Sequence, residues 1–164
     1  MRHSMRAAAA ALLCCATPAF AATVHVQDPV PFSETSYIAD NIKAECRMGA
    51  QLGTALGNSA PDFGNTIAFD EQLATDGRVL KLEIVEAQSA RTGYNHYKSA
   101  TVRGVLMDDG QKVAEVTARR ISRGGPGGMF KGSCDVLQRV VTAIGNDLAE
   151  WLANPTDEAK LGDF

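Results

Sequence analysis

An α+β fold, a two-layer sandwich of mainly antiparallel sheet with two helices packed on one face, follows from three patterns in the sequence. Leu80, Leu82 and Ile84 alternate with Lys81 and Glu83, the period of a half-buried strand. Two further β-like runs, Ser99 to Met107 and Gln111 to Ser122, flank Asp108-Asp109-Gly110 and read as a hairpin with one polar face. Leu137, Val141, Ile144, Leu148 and Trp151 recur at helical spacing, so a long amphipathic helix follows the strands. A sheet with a polar outer face leaves only one face for helices to cover.

The chain opens on a leader. Arg2 and Arg6 precede an apolar run from Ala7 to Thr17, and Ala19-Phe20-Ala21 has the small-x-small form of a cleavage site. Residues 1–21 therefore read as a secretory signal peptide. The run is shorter than the roughly 20 apolar residues of a membrane span. Leu13 before Cys14 does not fit a lipid-attachment site, where a small residue is expected. No second long apolar run follows, which predicts a mature chain without a transmembrane segment.

Beyond the leader, residues 22–154 are expected to form one α+β domain and residues 155–164 a frayed polar tail. Cleavage leaves 14 basic against 19 acidic residues, a net charge of −5. Such a chain is a poor binder of phosphate backbones, so no nucleic-acid partner is expected.

Taken in order, Thr23 to Gln27 is a short strand, and the prolines hold Asp28-Pro-Val-Pro-Phe32 extended. Ser33 or Ser36 is placed to cap a helix reaching Leu56, with Ile38, Ile42, Cys46, Gly49, Leu52 and Leu56 on its buried stripe. Gly57-Asn58 is its expected stop. Thr66 to Phe69 is a short strand, Arg78 to Ala87 a longer one, and Ser89 to Lys98 a polar loop. A three-residue loop at Asp108-Asp109-Gly110 segregates the hairpin faces. It sets Ala100, Val102 and Gly104 opposite Ala118, Val116 and Ala114, and Arg103 opposite Glu115. Gly110 then takes the left-handed position. The final helix runs from about Ser133 to Ala153 and ends at Asn154-Pro155.

Two cysteines, Cys46 and Cys134, remain after cleavage. Each lies on the buried stripe of its helix, and an exported chain with two cysteines is expected to join them in one disulfide. The segment Ser122-Arg-Gly-Gly-Pro-Gly-Gly-Met-Phe-Lys-Gly-Ser-Cys-Asp135 joins strand to helix but is no P-loop, because Lys131 precedes the last glycine. Arg123, Gly127, Gly128 and Lys131 remain candidates for a small-anion or glycan site at the helix start, with Arg119 and Arg120 beside them. Arg91, Tyr94, His96 and Tyr97 form an aromatic, basic loop of the kind found on recognition surfaces; the same rings could instead cap the core. His25 and His96 are the only histidines of the mature chain, too few for a zinc site. No serine stands in a G-x-S-x-G context. No catalytic residue, metal or cofactor is assigned. A hydrolase without a recognisable motif is the remaining enzymatic alternative.

From Lys98 to Leu152 the order is hairpin, glycine-rich turn, Lys131-Gly-Ser-Cys134, then a helix ending in Trp151-Leu152. This resembles uncharacterised small exported envelope proteins of Gram-negative bacteria. The layout is also similar, at fold level, to the amino-terminal domain of the TolB translocation protein and the core of curli-secretion lipoproteins. The resemblance implies a non-catalytic periplasmic or secreted binding or accessory module, whose partner is an envelope protein or a cell-wall component.

Overall fold

The computed structural model of the chain describes residues 22–92, 95–122 and 132–164, with the side chains of 90–92, 95 and 96 left aside. Its elements in order are β1 (Ala22–Gln27), α1 (Asp40–Glu45), α2 (Met48–Ser59) with a short 3-10 extension (Ala60–Phe63), β2 (Asn65–Asp70), β3 (Arg78–Thr92), β4 (Asn95–Asp108), β5 (Gln111–Ser122), α3 (Ser133–Ala153) and β6 (Ala159–Gly162). The six strands form one sheet in the order β2-β1-β3-β4-β5-β6. The two long ladders at its centre, β3 with β4 and β4 with β5, are antiparallel. β1 pairs in parallel with β2 and briefly with β3, and β6 pairs in parallel with β5.

One face of the sheet carries Val24, Val26, Leu80, Leu82, Ile84, Val102, Leu106 and Val116, all buried. α2 and α3 cover it with Met48, Leu52, Leu56, Leu137, Val141, Ile144 and Leu148 in one continuous core. The other face presents Lys81, Glu83, Arg103 and Glu115. The architecture is the expected two-layer α+β sandwich with its helices on one face.

Several local expectations are corrected. The first helix is two helices. Ser36 donates both its backbone amide and its hydroxyl to the Ser33 carbonyl, closing a turn instead of capping a helix, so α1 begins only at Asp40. The chain then breaks at Arg47, which sits in the left-handed region with φ 45°. The expected stripe is nevertheless buried throughout, because a single left-handed residue redirects the axis without exposing Cys46, Gly49, Leu52 or Leu56. Gly57-Asn58 does not stop α2; the stop is Gly64, at φ 76° after the 3-10 turn.

The described residues of the segment Ser89 to Lys98 are strand, not loop. β3 and β4 stay paired through Ser89↔Lys98 and Arg91↔His96 to Thr92↔Asn95. The β4–β5 register also differs from the expected one. Asp109 and Gly110 both have positive φ, 45° and 78°, as a two-residue type I′ turn requires. A bulge between Leu106 and Met107 then absorbs one residue. Val102 faces Ala118 and Gly104 faces Val116, a shift of two residues that keeps these side chains on their expected face. Arg103 consequently lies opposite Thr117 and reaches Glu115 only at 4.0 Å.

Residues 155–164 are not frayed in the structure. β6 continues the sheet along β5 from Val116↔Ala159 to Arg119↔Gly162. Asp157 accepts the Glu115 amide at 2.8 Å, and Asp163 accepts the Ile121 amide at 2.9 Å. Gly162, at φ 92°, passes so close to the Arg119 carbonyl that a Cβ there would lie 2.2 Å from its oxygen. The indole of Trp151, a buried core anchor, donates to the Thr156 carbonyl at 3.1 Å and fixes the start of the segment.

Candidate binding surfaces

The two cysteines meet where the first and last helices come together. Cys46 ends α1 and Cys134 lies in the first turn of α3; they are joined, with their Cα atoms 4.7 Å apart. Gln138, one turn further along α3, donates to the Cys46 carbonyl at 3.4 Å. Ser133 is hydrogen-bonded through its hydroxyl to that of Ser89 at 3.0 Å, which ties the start of α3 to the far end of β3.

The expected anion site falls on Arg123, Gly127, Gly128 and Lys131, all outside the described residues. Of its basic neighbours, Arg120 is withdrawn from that role. It points to the helix side of the sheet and makes a two-pronged pair with Asp147 of α3, at 2.7 and 2.6 Å. A second acid, Asp163, stands 3.9 Å away. The hydrogen bond to Asp147 is the main reason the guanidinium is held above its usual pKa, with the charges of Asp147 and Asp163 adding to it. Arg119 faces the opposite side, where its Nε is enclosed and has no hydrogen-bond partner.

Of the four recognition-loop residues, Tyr94 is outside the described residues, and Arg91 and His96 are placed by backbone alone, directly opposite one another. Tyr97 is half-buried, with its hydroxyl 3.3 Å from the Gln88 side chain. Gln88 in turn bonds Glu86, and Glu86 accepts from Thr101 at 3.0 Å. Ser99 is buried beside them, and its hydroxyl has no partner. A polar band thus runs along the outer face of β3 and β4 towards the hairpin tip. Among the described residues β5 accompanies β4 only to Lys98↔Ser122, and the last neighbour of β3 on its other side is Phe32, bridged to Ile84. Among the described residues, the hairpin pairs beyond these points, from Glu86 to Thr92, have no further strand on the β3 edge.

His25 reaches Asp70 of β2 at 2.8 Å, an internal pair between neighbouring strands. Asp109 accepts the Gly77 amide, and its own amide donates to the Gly77 carbonyl, so the carboxylate staples two turns together. These acids have structural partners.

Sequence reasoning passed over one feature. Between the β1–α1 connection and the first turn of α2 lies a groove of about 410 Å³, lined by Asp28, Pro29, Val30, Pro31, Phe32, Lys43, Arg47, Met48, Gly49 and Ala50. Its closeness depends on Gly49, where a Cβ would stand 2.1 Å from the Val30 carbonyl oxygen. The prolines were legible, but nothing local says that residues 28–32 and 43–50 will face each other.

No family model matches the chain, and no curated protein matches it. Among solved structures it is similar to protein XCC0632 from Xanthomonas campestris, described under the family model DUF330. The TM-score is 0.60 at 13% identity, over 85% of this chain and 87% of that one. It is also similar to a minor lipoprotein from Acinetobacter baumannii, with TM-score 0.47 and 14% identity over 81% of this chain and 91% of that one. A third is lipoprotein GNA1162 from Neisseria meningitidis, with TM-score 0.46 and 15% identity over 78% and 98%. At such identities the likeness is one of fold, carried by the first of the three. No helix among the described residues is long and apolar enough to cross a membrane.

Proposed function

We propose that this protein is a non-catalytic binding or accessory module of the Gram-negative cell envelope, exported to the periplasm. The observation that carries the reading is the Cys46–Cys134 bond. It ties the end of α1 to the start of α3 across 88 residues, and bonds of this kind persist in oxidising compartments. The leader over residues 1–21 supports the same reading. Its recognition surface is the end of the β3–β4 hairpin, around Arg91, Tyr94, His96 and Tyr97. The support there is the β3 edge beyond Ile84, which no described strand covers and which offers backbone groups to an added strand.

The test is site-specific photocrosslinking from position 94 in intact cells, with Tyr37, a fully exposed ring of the β1–α1 connection, as the control position. A discrete envelope protein captured from position 94 and not from 37, and lost in Arg91→Glu, is the expected result. Turnover of a periplasmic substrate that a point mutation abolishes would overturn the non-catalytic reading. Equal capture from both positions would remove the hairpin as the surface.

A further inference from the structure

The groove beside α2 is distinct from the hairpin, and its ligand can be argued from its walls. One wall is the extended segment from Asp28 to Phe32, the other the first turn of α2. The extended wall has few backbone groups to offer. The Asp28 amide already donates to the Asp70 carbonyl at 3.0 Å, and Pro29 and Pro31 have no amide hydrogen. The Pro31 carbonyl accepts from Ile84 at 2.9 Å, and the Val30 carbonyl is pressed against Gly49. A peptide laid along this wall would find no ladder of donors and acceptors, whereas a hydrocarbon chain needs none. Of the lining residues, Pro29, Pro31, Phe32 and Ala50 are apolar and not fully buried, whereas Val30 belongs to the core. The volume lies within the range of small-molecule sites, about 300–1,000 Å³.

The charges are not evenly placed. Asp28 leans towards Gly53, one turn along α2, where its Oδ1 lies 3.1 Å from the position of an added Cβ. Lys43 and Arg47 line the groove from α1 and from the junction that precedes α2. Neither pairs with an acid among the described residues. Arg47 is exposed and held at φ 45°, a conformation that costs an L-residue about 1–2 kcal/mol and a glycine almost nothing. α2 also begins without a side-chain cap, so its positive end adds to the two cations.

We propose that the groove binds a single-chain anionic amphiphile of the fatty-acid type, its hydrocarbon chain between Pro29–Phe32 and Ala50 and its carboxylate at Arg47 and Lys43. The assignment stands independently of the accessory role proposed above.

The test is isothermal titration of the mature, oxidised protein with sodium dodecanoate below its micellar concentration, with uncharged dodecyl maltoside and with sodium butyrate. The expected result is saturable one-to-one binding of dodecanoate, weaker binding of the maltoside and none of butyrate. Arg47→Gly is suited to the backbone at this position and will fold; combined with Lys43→Gln it should weaken dodecanoate by about tenfold or more and leave the maltoside unchanged. Ala50→Leu, which narrows the groove at a helical site, should weaken both long-chain ligands. Absence of dodecanoate binding overturns the proposal. So does binding that all these variants leave intact, and so does equal affinity for butyrate, which would reveal a carboxylate site without a chain site.

Discussion

Gly145 separates two effects of opposite sign. It lies inside α3, where alanine should stabilise the helix by about 1 kcal/mol over glycine. It also faces α2 across the closest approach of the two helices. A Cβ at Gly145 would sit 2.7 Å from the Ala55 Cβ, 2.9 Å from the Leu56 nitrogen and 3.1 Å from the Leu52 oxygen. Carbon atoms pack comfortably at about 3.5–4.0 Å, so the helices must part by most of an ångström. Two of the three obstructing atoms are backbone and cannot rotate away. A gap of that size forfeits a quarter to a half of each van der Waals contact along the seam, where Leu52, Leu56, Val141, Ile144 and Leu148 are fully buried. Overpacking of this kind has a net cost of about 1–3 kcal/mol, which outweighs the propensity gain. Gly145→Ala is therefore expected to lower the urea midpoint of the oxidised protein by about 1 M, with an unchanged slope. Ala55→Gly in the same chain should recover part of the loss, a coupling that distant sites would not show. A raised midpoint for Gly145→Ala would refute the reasoning, because propensity would then have acted without opposition and the helices could not be in such close contact.

Other outcomes follow from the same structure. Cys134→Ser should cost about 4–5 kcal/mol on the chain-entropy argument for a sequence separation of 88, and unreduced mature protein should titrate with no free thiol; two free thiols would contradict the bond. Asp147→Asn removes the charge partner of a partly exposed Arg120 and should cost about 1 kcal/mol in chemical denaturation. The Glu115 amide, then the charge of Lys112, hold the Asp157 carboxyl below its usual pKa. A depressed folded pKa gives stability that is present above the unfolded value, about 3.9, and lost as pH falls through the folded one. The C-terminal segment should accordingly loosen below about pH 4, seen as a lower protection factor of the Glu115 amide against its intrinsic exchange rate, and Asp157→Asn should abolish that acid limb. Tyr94→Ala with Tyr97→Ala should leave the melting temperature within about 4 °C of wild type if the rings serve recognition; a larger fall would make them a core cap.

What could be read from the sequence, and what could not, divides along a physical line. Side-chain periodicity reports which face is buried, and there it succeeded: Ile42, Cys46, Leu52 and Leu56 are buried, as are Leu137, Val141, Ile144 and Leu148. Periodicity does not report the path of the backbone between those side chains. Two β4–β5 registers two residues apart bury the same faces, and the two-residue turn together with the bulge after Leu106 chooses between them. The turn at Arg47 likewise leaves the stripe intact, so a continuous helix and a broken one look alike in the pattern. Polar segments were read as loops because they lack an apolar rhythm. Yet Ser89 to Lys98 needs none, since each strand there is the partner of the other, and β6 needs only Ala159 and Leu161 to rest against the core. Function suffers most from this division. The disulfide joins buried Cys46 to half-buried Cys134, both on stripes that periodicity marks as inward, whereas the groove at Pro29–Phe32 exists only because a left-handed Arg47 and a side-chain-free Gly49 bring α2 against the β1–α1 connection. Neither residue belongs to any motif. Their meaning is geometric, and an Arg47→Gly chain that folds unchanged yet loses dodecanoate would show that the arginine is kept there for its charge, against its own backbone preference.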